Sequence, residues 1–159
     1  MGSDSDLVVM REAVSILKEF EVDFDIHIIS AHRSPERIHT FSLEVEKKYD
    51  VLIAGAGGAA HLAGVIASLT PIPVIGVPML TSGLGGLDSL LSMVQMPSGI
   101  PVPTMSIGKA GAINAALLAI QILSVSDSGL RQKIILYKKK LSDGVEKKNK
   151  EVRKEFGLS

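Results

Sequence analysis

Apolar positions along the chain alternate between helical and strand spacing. Leu7, Met10, Val14 and Leu17 recur every three or four residues, which predicts a helix. The run 22–29 alternates apolar with polar residues and predicts a strand. Short apolar runs and helical stripes then follow one another. The further predicted strands are 51–53, 73–78 and 102–107, and the further predicted helices are 35–49, 65–69, 87–94, 110–125 and a charged helix from 127 onward.

Strands that alternate with helices in this way favour a three-layer α/β sandwich with a parallel sheet. A length of 159 residues predicts a single domain, with residues 1–126 as a core that carries the site loops and 127–159 as a charged helix and tail. The formal net charge is zero, so nothing favours nucleic acid as a partner. The chain has no cysteine, which excludes thiolate catalysis and cysteine-bound metal.

The stretch 51–126 carries only two charged residues, Asp88 and Lys109. A membrane span would need about 20 consecutive apolar residues, and glycine, proline and histidine interrupt this stretch repeatedly, so no membrane association is expected. The run 110–125 is apolar on nearly every face and must be buried. We expect other copies of the chain to supply part of that burial, which predicts a homo-oligomer.

A glycine-rich turn, residues 54–61, lies between an apolar strand-like run and a helix-like run. This arrangement presents backbone N–H groups to a polar or anionic ligand, and His61 adds a proton-transfer group. The spacing matches neither a dinucleotide fingerprint nor a P-loop. A plain βα turn is therefore an equally good interpretation of this segment alone.

Two other polar segments stand next to predicted elements. Ser30-Ala31-His32-Arg33 ends the first predicted strand and places a histidine beside a possible phosphate clamp; its alternative is a polar loop before a helix capped by Ser34. Ser3 and Asp6 match a capping box, and a helix start with free hydroxyls also suits phosphate. If these loops meet at one edge of the sheet, they converge on a phosphorylated small molecule.

Together these loops resemble the N5-carboxyaminoimidazole ribonucleotide mutase family of purine biosynthesis, in the family's order and spacing, over residues 1 to about 125. The resemblance implies a flavodoxin-like αβα sandwich, a cytoplasmic homo-octamer, and catalysis without a cofactor or metal. The segments that carry it are Met1-Gly-Ser-Asp-Ser-Asp6, Ser30–Arg33, Ala54–Leu62, Asp88-Ser-Leu, Val94-Gln-Met-Pro97 and Gly108-Lys-Ala-Gly111.

The resemblance also implies a reaction, in which a carboxylate moves from N5 of the aminoimidazole ribonucleotide to C4 through trapped CO2. His32 matches the general acid and base, and His61 matches a second site histidine that positions the carboxylate or CO2. Ser3, Asp6 and Arg33 match substrate contacts; their chemistry assigns Ser3 and Arg33 to the phosphate and Asp6 to the ribose. The remaining implied substrate contacts are Gly2, Ser5, Ser30, Ala31, Ala56, Gly57 and Leu62.

Three alternatives stay open: a direct carboxylase that uses CO2, a non-catalytic nucleotide- or flavin-binding module, and an inactive assembly subunit. The sequence also departs from the family's pattern twice. Ala63 stands where the family usually has proline. The family places a central strand before the Met1 motif, between the segments 22–29 and 51–54. We therefore expect unpaired backbone groups on both segments, and low stability.

Overall fold

The computed structural model describes residues 1–158. Short 3-10 helices precede the first helix (Asp4–Asp6) and follow the second (Val45–Lys47). The helices are α1 (Leu7–Glu19), α2 (Pro35–Glu44), α3 (Leu62–Ala67), α4 (Leu87–Val94), α5 (Lys109–Leu123) and α6 (Ser128–Glu155), and the strands are β1 (Leu52–Ala56) and β2 (Val74–Pro78).

The two strands form a parallel pair with helices on both faces. Leu52 lies opposite Val74 and Ala56 opposite Pro78. Ile75 and Val77 belong to a core shared with α1, α5 and α6, whereas Val74 belongs to a second core with α2, α3 and α4. A strand buried on both faces is typical of parallel sheets. The predicted three-layer α/β fold with a parallel sheet is confirmed.

The prediction of a strand at 102–107 is wrong in extent. Only Thr104 forms a bridge, and its partner is Gly76 of β2. Gly76 N–H donates to the Pro103 carbonyl at 2.8 Å, and Met105 N–H donates to the Gly76 carbonyl at 2.9 Å. Pro101 and Pro103 have no N–H to donate, so a longer ladder does not form here.

The prediction of a strand at 22–29 is also wrong, because this extended segment lacks a neighbour along most of its length. Its ladder bonds within residues 1–158 involve Met1: the Met1 amine donates to the His27 carbonyl at 2.8 Å, and Ile29 N–H donates to the Met1 carbonyl at 2.9 Å. On the other side, Gly2 N–H donates to the Gly55 carbonyl at 2.9 Å. Met1 and Gly2 therefore bridge the segment 22–29 to β1.

Beyond this bridge the two edges are separated by an apolar groove of about 300 Å³. Met10 and Leu17 of α1 line one side, and Leu62 and Ile66 of α3 line another. Within residues 1–158, no backbone hydrogen bond joins the segment 22–29 directly to β1 across this groove, in line with the expectation for both segments. Burial at its end lowers the pKa of the Met1 amine.

Helix α5 is largely covered within its own chain. Ala112, Ala115, Ala116 and Ile120 are fully buried in the core that α5 shares with α1 and α6. Small alanine side chains allow α1 to approach closely. The apolar character of α5 therefore does not by itself require a partner subunit.

Within residues 1–158, the structure contains no helix with the length and apolar character needed to span a membrane.

Candidate active site

A cavity of about 530 Å³ opens beyond the carboxyl end of β1. The first turn of the chain, the loop 30–33 and the glycine turn form its walls, and Met79, Leu80 and Thr81 close the remaining side. The structure thus brings every site residue predicted from the sequence to one cavity. These residues are Gly2, Ser3, Ser5, Asp6, Ser30, Ala31, His32, Arg33, Ala56, Gly57, His61 and Leu62.

The first wall is a capped helix start, as predicted. The Ser3 hydroxyl accepts a hydrogen bond from Ser5 N–H at 3.3 Å, and the Asp6 carboxylate accepts one from Ser3 N–H at 3.0 Å. These reciprocal bonds form the capping box of the 3-10 turn that leads into α1. The box holds two hydroxyls, those of Ser3 and Ser5, within 3.0 Å of each other at the cavity.

Asp6 is the one buried carboxylate of this wall, with 8% of its surface exposed. Burial raises the pKa of its carboxyl group, although the Ser3 N–H and the nearby Met1 amine act in the opposite direction. The carboxylate is a hydrogen-bond acceptor without a cationic side-chain partner among residues 1–158. It can therefore accept hydrogen bonds from the hydroxyls of a ligand.

Asp6→Asn is expected to raise stability at neutral pH and weaken substrate binding. Because the folded pKa of Asp6 is raised, its ionisation destabilises the fold as pH rises from the unfolded value near 4 through the folded value. The asparagine oxygen still accepts from Ser3 N–H but carries no charge. Urea unfolding should show a gain at pH 7 that shrinks as the pH falls toward about 4 and is absent below it, and KM should rise about tenfold. A less stable variant at pH 7 would contradict this account of Asp6.

Two histidines meet at the mouth of the cavity. His32 lies in the turn after the extended segment 22–30, and His61 lies at the N-cap of α3. His32 Nε2 and His61 Nδ1 are 2.8 Å apart, and the rings cross at 69°. One ring nitrogen must donate and the other accept, so a single proton lies between them. Both side chains are exposed to the cavity and available to a ligand.

Arg33 provides a cation beside this pair. Its backbone N–H and its Nε both donate to the Ser30 hydroxyl, at 3.2 and 3.3 Å. It forms no ion pair with a carboxylate in the described part of the chain. The two Nη groups therefore remain free for an anionic ligand such as phosphate.

Ser34 is the N-cap residue of α2, as predicted, but its side chain makes no capping hydrogen bond. Its hydroxyl donates to the Ser30 carbonyl at 3.0 Å and accepts from Ser30 N–H at 3.2 Å. Pro35 follows at the first helical position and has no N–H to satisfy. Ser34 therefore closes the loop that presents His32 and Arg33.

The glycine turn leaves backbone donors free at the cavity. Gly58 adopts a positive φ of 66°, which favours glycine. The Ala60 N–H donates to the Gly58 carbonyl at 2.8 Å, which folds the turn tightly. The N–H groups of Gly57 and Ala59, which both line the cavity, donate to no protein atom within residues 1–158. They can bind a carboxylate or a similar anion.

Sequence reasoning missed four cavity residues: Ala59, Met79, Leu80 and Thr81. The only signal for the last three was the Gly-, Ser- and Thr-rich composition of the loop 79–86 after β2. The Thr81 hydroxyl donates to the Asp88 carboxylate at 2.8 Å and accepts from Gly86 N–H at 3.1 Å. Asp88 lies in the first turn of α4, and its carboxylate holds Thr81 in place.

The described residues contain no group of three or more His, Cys, Asp and Glu side chains that could hold a metal ion. The cavity instead combines a histidine pair, a free guanidinium, hydroxyls, a buried carboxylate and free amides. Fold and cavity together define a class: three-layer α/β proteins with a polar site for a phosphorylated small molecule and a group that transfers protons.

Within that class, the chain belongs to the AIR carboxylase family, whose model matches residues 1–144. An N5-carboxyaminoimidazole ribonucleotide mutase of Pyrococcus abyssi is 58% identical over 139 residues, covering 87% of this chain and 79% of the relative. The enzyme of the same name from Escherichia coli is 50% identical, covering 91% of this chain and 86% of the relative. The crystal structure of Treponema denticola PurE matches with a TM-score of 0.86 and 27% identity, over 96% of this chain and 95% of that one.

Proposed function

We propose that this chain is a 5-(carboxyamino)imidazole ribonucleotide mutase, which moves the carboxylate of N5-carboxyaminoimidazole ribonucleotide from N5 to C4. The observation that carries the proposal is the 2.8 Å contact between His32 and His61 at a cavity with phosphate- and sugar-binding groups. The names of relatives at 50–58% identity support the same reaction.

The reaction needs one proton to be donated and one to be removed, and a single histidine can do both. The N5–carboxylate bond breaks, CO2 forms, and His32 gives a proton to the nitrogen that leaves. C4 then attacks CO2, and His32 takes back the proton that C4 loses. The protonation state of His32 is the same after the cycle as before it, and the bond to His61 holds the ring in place meanwhile.

The remaining cavity groups suit the other parts of the substrate. Arg33 and the Ser3 hydroxyl are assigned to the phosphate, and Asp6 to the ribose hydroxyls, since a carboxylate repels phosphate. The free amides of Gly57 and Ala59 are assigned to the carboxylate and to the CO2 that it becomes. Ser5, Ser30, Ala31, Ala56, Gly2 and Leu62 complete the wall around the bound nucleotide.

A direct carboxylase is the second candidate, because the matching family model carries that name. Such an enzyme would accept aminoimidazole ribonucleotide and CO2 as substrates. A flavin-binding module is less well supported: apart from the two histidines, no ring that could stack on a flavin lines the cavity among residues 1–158.

Product formation from N5-carboxyaminoimidazole ribonucleotide, without ATP or added bicarbonate, tests the proposal. The purified chain should form the C4-carboxylated product well above the spontaneous rate. Formation of product only from aminoimidazole ribonucleotide with bicarbonate would instead favour the carboxylase. If no product forms from either starting mixture, the remaining interpretations are a binding module and an inactive subunit.

The proposal includes a cytoplasmic homo-oligomer, and the family resemblance favours an octamer. Leu87, Leu91 and Val94 lie on one face of α4 and are 45–50% exposed. Such an apolar stripe on a surface helix favours contact with another subunit. Light scattering should show an assembly larger than a monomer, and Leu91→Glu should dissociate it at least partly. A monomer in the unmodified chain would contradict this part of the proposal.

A further inference from the structure

A serine of helix α4 forms a hydrogen bond with the glycine turn. Ser89 is fully buried, and its hydroxyl accepts a hydrogen bond from Gly58 N–H at 2.9 Å. Gly57 and Ala59, on either side of Gly58, line the cavity, whereas Gly58 does not. Ser89 therefore binds the middle amide of these three, and the N–H groups of Gly57 and Ala59 have no protein partner within residues 1–158.

The same end of α4 also holds the loop 79–86. Asp88, next to Ser89, accepts a hydrogen bond from Thr81, which lines the cavity. One turn further along, the Ser92 hydroxyl donates to the Asp88 carbonyl at 2.8 Å and lies 3.5 Å from the Gly58 carbonyl. Two walls of the cavity are thus hydrogen-bonded to the same helix. Attachment to a regular element helps to fix the geometry of a site.

We propose that Ser89 is a positioning residue, which fixes the glycine turn as the wall that retains the transferred carbon between its departure from N5 and its attachment to C4. This inference rests on the proposed mutase function. In this role Ser89 holds Gly58 and does not contact the substrate.

A turn of small residues with a positive φ at Gly58 has many alternative conformations, because glycine is the least restricted residue. Gly58 is partly buried, and Ser89 is the only acceptor that its N–H has among residues 1–158. Without this acceptor, the amides of Gly57 and Ala59 lose their fixed placement, and CO2 can escape to water and become bicarbonate.

Ser89→Ala tests the role, with N5-carboxyaminoimidazole ribonucleotide labelled with ¹³C in the carboxylate. We expect kcat for the C4-carboxylated product to fall about 10- to 100-fold, with KM little changed because the phosphate and ribose contacts lie elsewhere. The ratio of released aminoimidazole ribonucleotide and labelled bicarbonate to product should rise about tenfold. Ser89→Cys keeps a weak acceptor of similar shape and should recover part of the retention.

Ser42→Ala is the matched control. Ser42 is also a buried serine, 2% exposed, but its hydroxyl has no partner and it lies on α2, away from the cavity. Its alanine variant should release no more labelled bicarbonate than the unmodified chain does. A loss of activity that only follows the folded fraction would not alter the ratio of released to transferred carbon.

The outcomes separate this inference from the proposed function. If the unmodified chain forms product and Ser89→Ala leaves the ratio unchanged, the inference is overturned and the mutase stands. If the unmodified chain forms no product, both fail. Amide exchange still tests the anchor itself: Gly58 N–H should exchange faster in Ser89→Ala than in Ser42→Ala, and equal rates would refute the anchoring bond.

Discussion

Replacing His32 with asparagine is expected to lower kcat by about 10³-fold, within the range that a general acid–base group contributes. Asparagine is polar and smaller than histidine, so it fits the turn, but it cannot give and take a proton. The contacts assigned to the phosphate and ribose stay in place. The dissociation constant for the C4-carboxylated product, measured by calorimetry, should therefore change only a few-fold.

His39→Asn is the matched control for this variant. His39 lies exposed on α2 and does not line the cavity. Its substitution should leave kcat unchanged. Activity that survives in His32→Asn would remove His32 from the acid–base role, and a comparable loss in His39→Asn would show that the assay reports on folding instead.

An apolar extension before Met1 is expected to raise stability strongly. Met1 donates to the His27 carbonyl and accepts from Ile29 N–H, which is the bonding pattern of one residue in a parallel ladder. Successive residues of a middle strand bond alternately to the strand on one side and to the strand on the other. Gly2, the residue after Met1, accordingly donates to the Gly55 carbonyl of β1. The residue before Met1 would therefore donate to the Ile53 carbonyl and accept from Gly55 N–H.

The groove between the two edges is lined largely by apolar side chains and has a volume of about 300 Å³. About four β-branched apolar residues at ~3.3 Å each would follow its length. Their burial and their new hydrogen bonds, less the cost of ordering, should contribute about 3 kcal/mol. That corresponds to a rise in Tm of about 10 °C. The amino group would also leave the buried position that lowers its pKa.

Thermal unfolding of three chains tests this expectation: the unmodified chain, the apolar extension, and an extension of equal length made of glycine and serine. The polar extension should give little or no rise in Tm, because it supplies no apolar surface. Equal Tm values for the two extensions would show that the groove does not accept a strand.

The helices and the cavity loops were predicted well from local signals, because these features depend on residues that are close together in the sequence. The stripe Leu7 to Leu17 and the capping box at Ser3 and Asp6 depend on residues a few positions apart. The loops at His32 and His61 were expected to meet because parallel strands carry loops to the same edge of the sheet. The meeting of the two histidines at 2.8 Å follows from that arrangement, although the sequence indicated no distance.

The errors arose where the outcome depends on a distant neighbour. The alternation at 22–29 is a property of the segment, whereas a strand also needs pairing, and the groove leaves most of this segment without it. Ser34 occupies the predicted N-cap position of α2, but its hydroxyl bonds to Ser30 and not to the helix. The cavity residue Leu80 and the bond from Gly58 to Ser89 depend on how α4 and the loop 79–86 pack, which no local pattern reports.

The most direct test of the central claim follows the carboxylate itself. N5-carboxyaminoimidazole ribonucleotide labelled with ¹³C in its carboxylate is given to the chain in buffer that contains unlabelled bicarbonate, and the C4-carboxylated product is read by ¹³C NMR. A mutase that traps CO2 at the glycine turn predicts product that keeps most of the label. Product without the label, made from bicarbonate in solution, would contradict transfer within one site.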